Sequence, residues 1–172
     1  LVNFDCSAFY IKDKDLLLRT FEILPEYLKT GNRGQVNDYR DWGIPLGRRF
    51  RALKLWMVIR TYGINGLKLY FKNQMELTKW VEHEMNNHPD FEIMLPRAMN
   101  MIVFRYNPQQ TKHELNTLNE QLLKTINQSG EAFLSHTKVN DQYILRLVLG
   151  QTLMEKKHVE KVWRLIQEKA RL

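Results

Sequence analysis

Apolar positions in this chain alternate between strand-like runs and helical stripes. Leu1 to Ile11 is mostly apolar, with Asn3, Asp5 and Ser7 interspersed, and predicts a strand. Asp13 and Asp15 follow where a helix N-terminus favours acids, and Leu16, Leu17 and Phe21 form the inner face of a short helix. Ile23 to Gly43 has no clear period and contains Pro25, Gly31, Asn32 and Gly34. A stretch of that length predicts a lid or a connection. Asp38 to Gly63 then predicts a turn feeding a helix. Pro45 and Gly47 mark the approach, good helix formers run from Arg48, and Gly63 supplies a stop. Phe50, Leu53 and Met57 share one side, while Ala52, Leu55, Trp56 and Ile59 fill much of the rest, which predicts a largely buried helix.

Beyond Gly63 the helical period resumes through Leu67, Tyr70, Phe71, Leu77, Val81 and Met85, and Asn86, Asn87 and Pro89 end it. Phe91–Leu95 and Met99–Tyr106 read as strands separated at Pro96. Thr111 to Glu114 has the spacing of a capping box, with Leu115, Leu118, Leu122 and Ile126 as the stripe behind it and Ser129-Gly130 as the stop. Ala132–Thr137 and Tyr143–Leu149 are strands joined by the hairpin signal Asn140-Asp141. Thr152 to Glu155 offers a second capping box, and Val159, Val162, Trp163 and Ile166 face inward from a final helix. Strand, strand, helix, strand, strand, helix is an α+β layer. The strand and helix before it make the whole α/β.

Composition narrows the class. A chain of 172 residues can bury a core. No apolar run approaches the ~20 residues of a membrane span, and no signal-peptide pattern is present. The single cysteine, Cys6, forms no internal disulfide and fits a reducing cytoplasm. The net charge of +7 could draw a polyanion, but the basic residues are scattered from Lys12 to Arg171 with acids between them. The start at Leu1, not at Met, implies a fragment or a processed chain.

Few side chains stand out chemically. Arg48, Arg49 and Arg51 beside a helix N-terminus could hold a phosphate or carboxylate; the plainer reading has them solvated or paired with Asp38 and Asp41. His83, Glu84 and His88 are spaced HExxxH, not HExxH, which argues against a shared metal. His136, between Ser135 and Thr137, reads as a structural hydrogen-bonder, and Trp42, Trp56, Trp80 and Trp163 read as core or interface anchors.

The order of residues adds more. DYRDWGIPLGRRFRALKLW closely resembles a signature of the group II pyridoxal-phosphate-dependent amino-acid decarboxylases, the branch of the aromatic-L-amino-acid, tyrosine and DOPA decarboxylases. LVNFDCSAFYIKD and YILRLVLGQTLMEKKHVEKVW resemble the same family in the right order. The resemblance spans essentially the whole chain but only the C-terminal part of such an enzyme. It implies the end of a fold type I large domain over 1–62, with a catalytic loop at about 23–43, a linking helix over 63–90 and a small α+β domain over 91–172. It implies pyridoxal 5'-phosphate as cofactor and decarboxylation of an aromatic L-amino acid to the amine and CO2. It further implies a cytoplasmic homodimer with shared active sites, and no nucleic-acid or membrane partner.

Residue by residue, Tyr27 in PEYLK matches the tyrosine of the family's closing loop, the proposed proton donor to the substrate-derived carbon. Relatives with phenylalanine there tend toward aldehydes. The backbone of Leu46 and Gly47 resembles a phosphate contact made across the dimer interface. The lysine that bonds the cofactor belongs just upstream of Leu1, so the chain by itself is expected to be inactive and to need the N-terminal remainder of the enzyme. The competing expectation is a non-catalytic basic α+β module binding nucleic acid or a partner protein. Such a sheet needs exposed aromatics among basic residues, and these strands read as too apolar.

Overall fold

The structure is a computed structural model that describes residues 5–22, 39–45, 47, 49–108 and 112–171. It divides into two units, Leu1–Gly63 and Ile64–Leu172.

In the first unit, α1 spans Lys14–Phe21. Asp13 is its N-cap, accepting from the amides of Asp15 (3.0 Å) and Leu16 (3.1 Å), so two of the orphan donors of the first turn are satisfied. Leu17 is buried, whereas Leu16 lies half exposed. The expected strand does not form over its described part. Asp5 to Ile11 joins no ladder, and Phe9 and Tyr10 are exposed. An extended run becomes a strand only when a neighbour accepts and donates its backbone hydrogen bonds, and no described segment does so here. A one-turn 3-10 helix, Tyr39–Trp42, packs beside α1.

Helix α2 covers Arg51–Asn86 and is interrupted at Gly63, whose φ of 63° and ψ of 175° are not helical. That backbone region is open essentially to glycine alone, so the stop read at Gly63 is a true break. The helix begins three residues later than expected, because the Arg51 amide turns back onto the Arg49 carbonyl (2.7 Å) before regular helix starts. The expected burial of its first half is also corrected. Phe50, Trp56, Met57 and Ile59 are exposed, since the described residues of this unit offer no apolar layer to cover them.

In the second unit, β1 (Phe91–Ala98), β2 (Met101–Tyr106), β3 (Ser135–Val139) and β4 (Gln142–Val148) form an antiparallel sheet in the order β1-β2-β4-β3. Pro96 does not divide β1. An edge strand tolerates the missing N–H, and register shifts on both sides of Leu95 absorb the ring. Helices α3 (Lys112–Gln128) and α4 (Lys156–Ala170), with the end of α2, enclose one core. Val81, Met85, Ile102, Phe104, Leu145, Val159 and Ile166 are almost fully buried there. Asn140 and Asp141 both take positive φ (50° and 61°), the conformation of a tight two-residue hairpin. The N-cap of α4 is Glu155, not Thr152. Its amide donates to His158 Nδ1 at 3.1 Å, so the capping box runs from Glu155 to His158. Thr111 of the other expected box lies outside the described residues.

Three asparagines of α3 join helix to sheet. Asn119 is fully buried; its Oδ1 accepts from the Tyr106 amide and its Nδ2 donates to the Tyr106 carbonyl, both at 2.8 Å. Asn116 makes the same pair of bonds with the Tyr143 amide and the Asp141 carbonyl, and Asn127 with both backbone groups of Leu134. Each side-chain amide stands in for a strand neighbour where the ladder ends.

Candidate functional site

The segment from Tyr39 to Arg51 gathers the residues singled out for chemistry. It is anchored at both ends. At the first end, Asp41 is buried and accepts from Arg40 through Nε (2.9 Å) and Nη2 (3.3 Å). The Tyr39 and Trp42 rings meet edge to face at 5.1 Å, and Lys14 Nζ lies 5.7 Å from the centre of the Trp42 ring. At the other end, Arg51 donates to Asp5 through Nε (3.0 Å) and Nη2 (2.7 Å), with Lys54 Nζ at 3.9 Å from the same carboxylate. The hydrogen bonds from Arg51 hold the Asp5 carboxyl below its ordinary pKa.

Between the anchors, Ile44, Gly47, Arg49 and Phe50 are exposed. A Cβ built on Gly47 meets no atom of the described residues within 4 Å. The chain therefore presents bare backbone at Gly47 with open space above it, which suits close approach of a phosphate oxygen. The helix-terminus argument is weaker than the sequence suggested. Gly47 lies four residues before α2, and the Arg51 and Leu53 amides are occupied by the Arg49 and Phe50 carbonyls. Arg51 is committed to Asp5, a partner 46 residues away that no local reading finds, and Asp41 serves Arg40. Tyr27, Leu46, Arg48 and Asp38 lie outside the described residues.

The other candidates have structural partners. His88 Nδ1 accepts from the Asp90 amide, and its ring meets Phe91 and Trp163 edge to face. His83 contacts Asn87, and among the described residues no cluster of His, Cys, Asp or Glu could hold a metal. His136 stacks flat on Tyr143 at 4.5 Å. Phe91, Phe104, Tyr106 and Tyr143, the aromatics of the four strands, are all buried, which leaves no stacking surface for bases. Arg105 is buried and paired with Glu92 directly across β1–β2. No helix among the described residues is long and apolar enough to cross a membrane.

The profile of the pyridoxal-dependent decarboxylase conserved domain matches residues 1–107 of the 172. The chain belongs to that family. It is 44% identical to phenylacetaldehyde synthase of Arabidopsis thaliana over 99% of its own length and 35% of that protein's. It is 40% identical to tyrosine decarboxylase 2 of Narcissus pseudonarcissus, with the same coverage. The crystal structure of Oryza sativa TDC with PLP and tryptamine superposes with a TM-score of 0.82 at 33% identity, over 90% of this chain and 33% of that one. The chain thus spans about a third of the length of these relatives. The α/β class expected for the C-terminal portion of a fold type I decarboxylase is the one observed.

Proposed function

We propose that this chain is the C-terminal portion of a pyridoxal-phosphate-dependent enzyme that decarboxylates an aromatic L-amino acid to its amine. The single observation that carries the reading is family membership; an exposed Gly47 accords with the phosphate contact that the resemblance implies for its backbone. The segment 1–62 closes the large cofactor domain, 63–90 links, and 91–172 is the small domain. The enzyme is a cytoplasmic homodimer, and the apolar face of Phe50, Leu53, Trp56 and Met57 meets protein in it.

In this reading the backbone of Leu46 and Gly47 holds the phosphate of the cofactor across the dimer interface. When bound, the cofactor supplies an electron sink for the pair left behind by departing CO2. Tyr27 delivers a proton from its phenol to the carbon that carried the carboxylate, and loop closure around it excludes water. The proton completes the amine.

The 44% identity to a phenylacetaldehyde synthase favours a second reading, formation of the aldehyde. That product lies two electrons above the amine, so the route needs an oxidant such as dioxygen and releases ammonia. Tyr27 supports the amine reading, because relatives with phenylalanine at the matching position tend toward aldehydes and a phenol there can deliver its proton before oxidation. The test is to supply the complete PLP-loaded enzyme with tyrosine, DOPA, tryptophan and phenylalanine and to measure CO2, amine, aldehyde and ammonia. One amine per CO2 supports the first reading, aldehyde with ammonia and oxygen uptake supports the second, and no CO2 from any of them refutes both. In the Tyr27→Phe variant, amine output falls by about 10²-fold or more, the usual worth of a positioned general acid, and aldehyde rises. Unchanged amine output removes Tyr27 from that role.

A further inference from the structure

We propose that Asp5 and Arg51 form a positioning pair that sets the loop around Gly47 for the cofactor's phosphate. The inference rests on the decarboxylase reading above, and it concerns two residues that touch neither cofactor nor substrate. Arg51 is the first residue of α2, and its guanidinium grips Asp5 with two nearly parallel bonds of 3.0 and 2.7 Å. A fork of this kind fixes orientation as well as distance, which a single bond or a lysine does not. The Asp5 carboxylate also lies at the positive end of the helix, where an anion is favoured, and Lys54 adds a second cation one turn on.

Geometry gives the pair its role. Gly47 lies four positions before Arg51, so it stays within about 14 Å of the anchored helix start. The opposite end of the loop is held by the one-turn helix Tyr39–Trp42, which packs beside α1 with Lys14 over the Trp42 ring. Ile44, Gly47, Arg49 and Phe50 are exposed between that packed turn and the Arg51–Asp5 pair, so these two ends decide where the bare backbone of Gly47 stands. Because its charge is already met by Asp5, Arg51 acts on the phosphate through the loop and not as its ligand. An ion pair whose side chains are 45% and 44% exposed adds little to overall stability, so its effect belongs in cofactor affinity.

The test uses the complete enzyme, stripped of PLP and titrated with it while the visible absorbance of the bound cofactor is followed. Asp5→Asn and Arg51→Lys each weaken PLP binding by about three- to fivefold, the reach of one well-formed exposed pair. The double variant is no weaker than either single one, because both break the same contact. Asp5→Glu, which keeps the charges together, retains most of the affinity, and the melting temperature of the cofactor-free enzyme hardly moves in any variant. Wild-type PLP affinity in both single variants, or additive losses in the double one, overturns the pair alone. An affinity loss matched by an equal loss of apo-enzyme stability reduces it to a general structural contact. A wild-type enzyme that takes up no PLP overturns instead the decarboxylase reading on which the pair depends.

Discussion

Single residues carry the sharpest chemistry here, and two of them make opposite demands on space. Gly47 is useful for what it lacks. Since a Cβ there meets no atom of the described residues within 4 Å, Gly47→Val leaves their packing intact. It lowers PLP affinity by about tenfold, or ~1.4 kcal/mol, by standing where a phosphate oxygen approaches. Normal affinity in an absorbance titration of the complete enzyme removes Gly47 from the phosphate site. Asn119 is useful for what it fills. Asn119→Ala leaves the amide and carbonyl of Tyr106 buried without these partners, at a cost of about 2–4 kcal/mol. Urea unfolding checks this, and a midpoint unchanged at constant slope shows that water replaces the side chain. The signal for Asn119 was present in the sequence, since Asn119 falls on the same helix face as Leu115, Leu122 and Ile126, while Asn116 and Asn127 lie beside that face. A polar residue within an apolar stripe tells of a buried hydrogen bond, but the spacing does not name its partner.

Elements follow local rules closely where the chemistry is local. Asn140-Asp141 gives the tight hairpin, Asp13 caps α1, and the apolar period of α2 resumes after Gly63 as expected. Gly63→Ala places a Cβ on a backbone at φ 63° and ψ 175°, a cost of about 1–3 kcal/mol. A lower urea midpoint is expected; an equal or higher one shows that the helix straightens through residue 63. Where an element depends on a distant partner, local pattern misleads. Leu1–Ile11 has the composition of a strand, yet its described part joins no ladder. Pro96 looked like a boundary but sits inside β1, because β1 is an edge and an edge strand does not need that donor. Sheet order was not written in either residue.

At the scale of the molecule, buried phenols and exposed ion pairs respond to opposite ends of the pH range. Burial first, then the charge of Asp90, raises the pKa of Tyr106, with Arg171 acting against them; burial and Glu120 raise that of Tyr143. A group whose folded value is raised contributes stability fully present below its unfolded value, about 10 for a phenol, and lost as pH rises through the folded value. The second unit therefore loses stability above about pH 10, and the double variant Tyr106→Phe, Tyr143→Phe loses less of it over that range. Circular dichroism together with phenolate absorbance checks this, and an identical alkaline limb in the variant assigns the loss to lysines. On the acid side, hydrogen bonds from Arg51, Lys161 and Lys157 lower Asp5, Glu131 and Glu155. Their contribution is present above ordinary carboxylate values and fades as pH falls through the lowered ones, and solvent exposure keeps it small.

By itself the sequence determined the identity of most elements, the hairpin turn, the break at Gly63 and the family, because each is encoded in short-range periodicity or in an ordered run of residues. The tertiary structure alone decided that Arg51 belongs to Asp5 and not to a phosphate, that the first half of α2 presents its aromatics outward, and that asparagines complete the ladders where they end. These are contacts between residues 7 to 46 positions apart, or the want of a covering layer. Chain folding creates such relations, and no local pattern carries them.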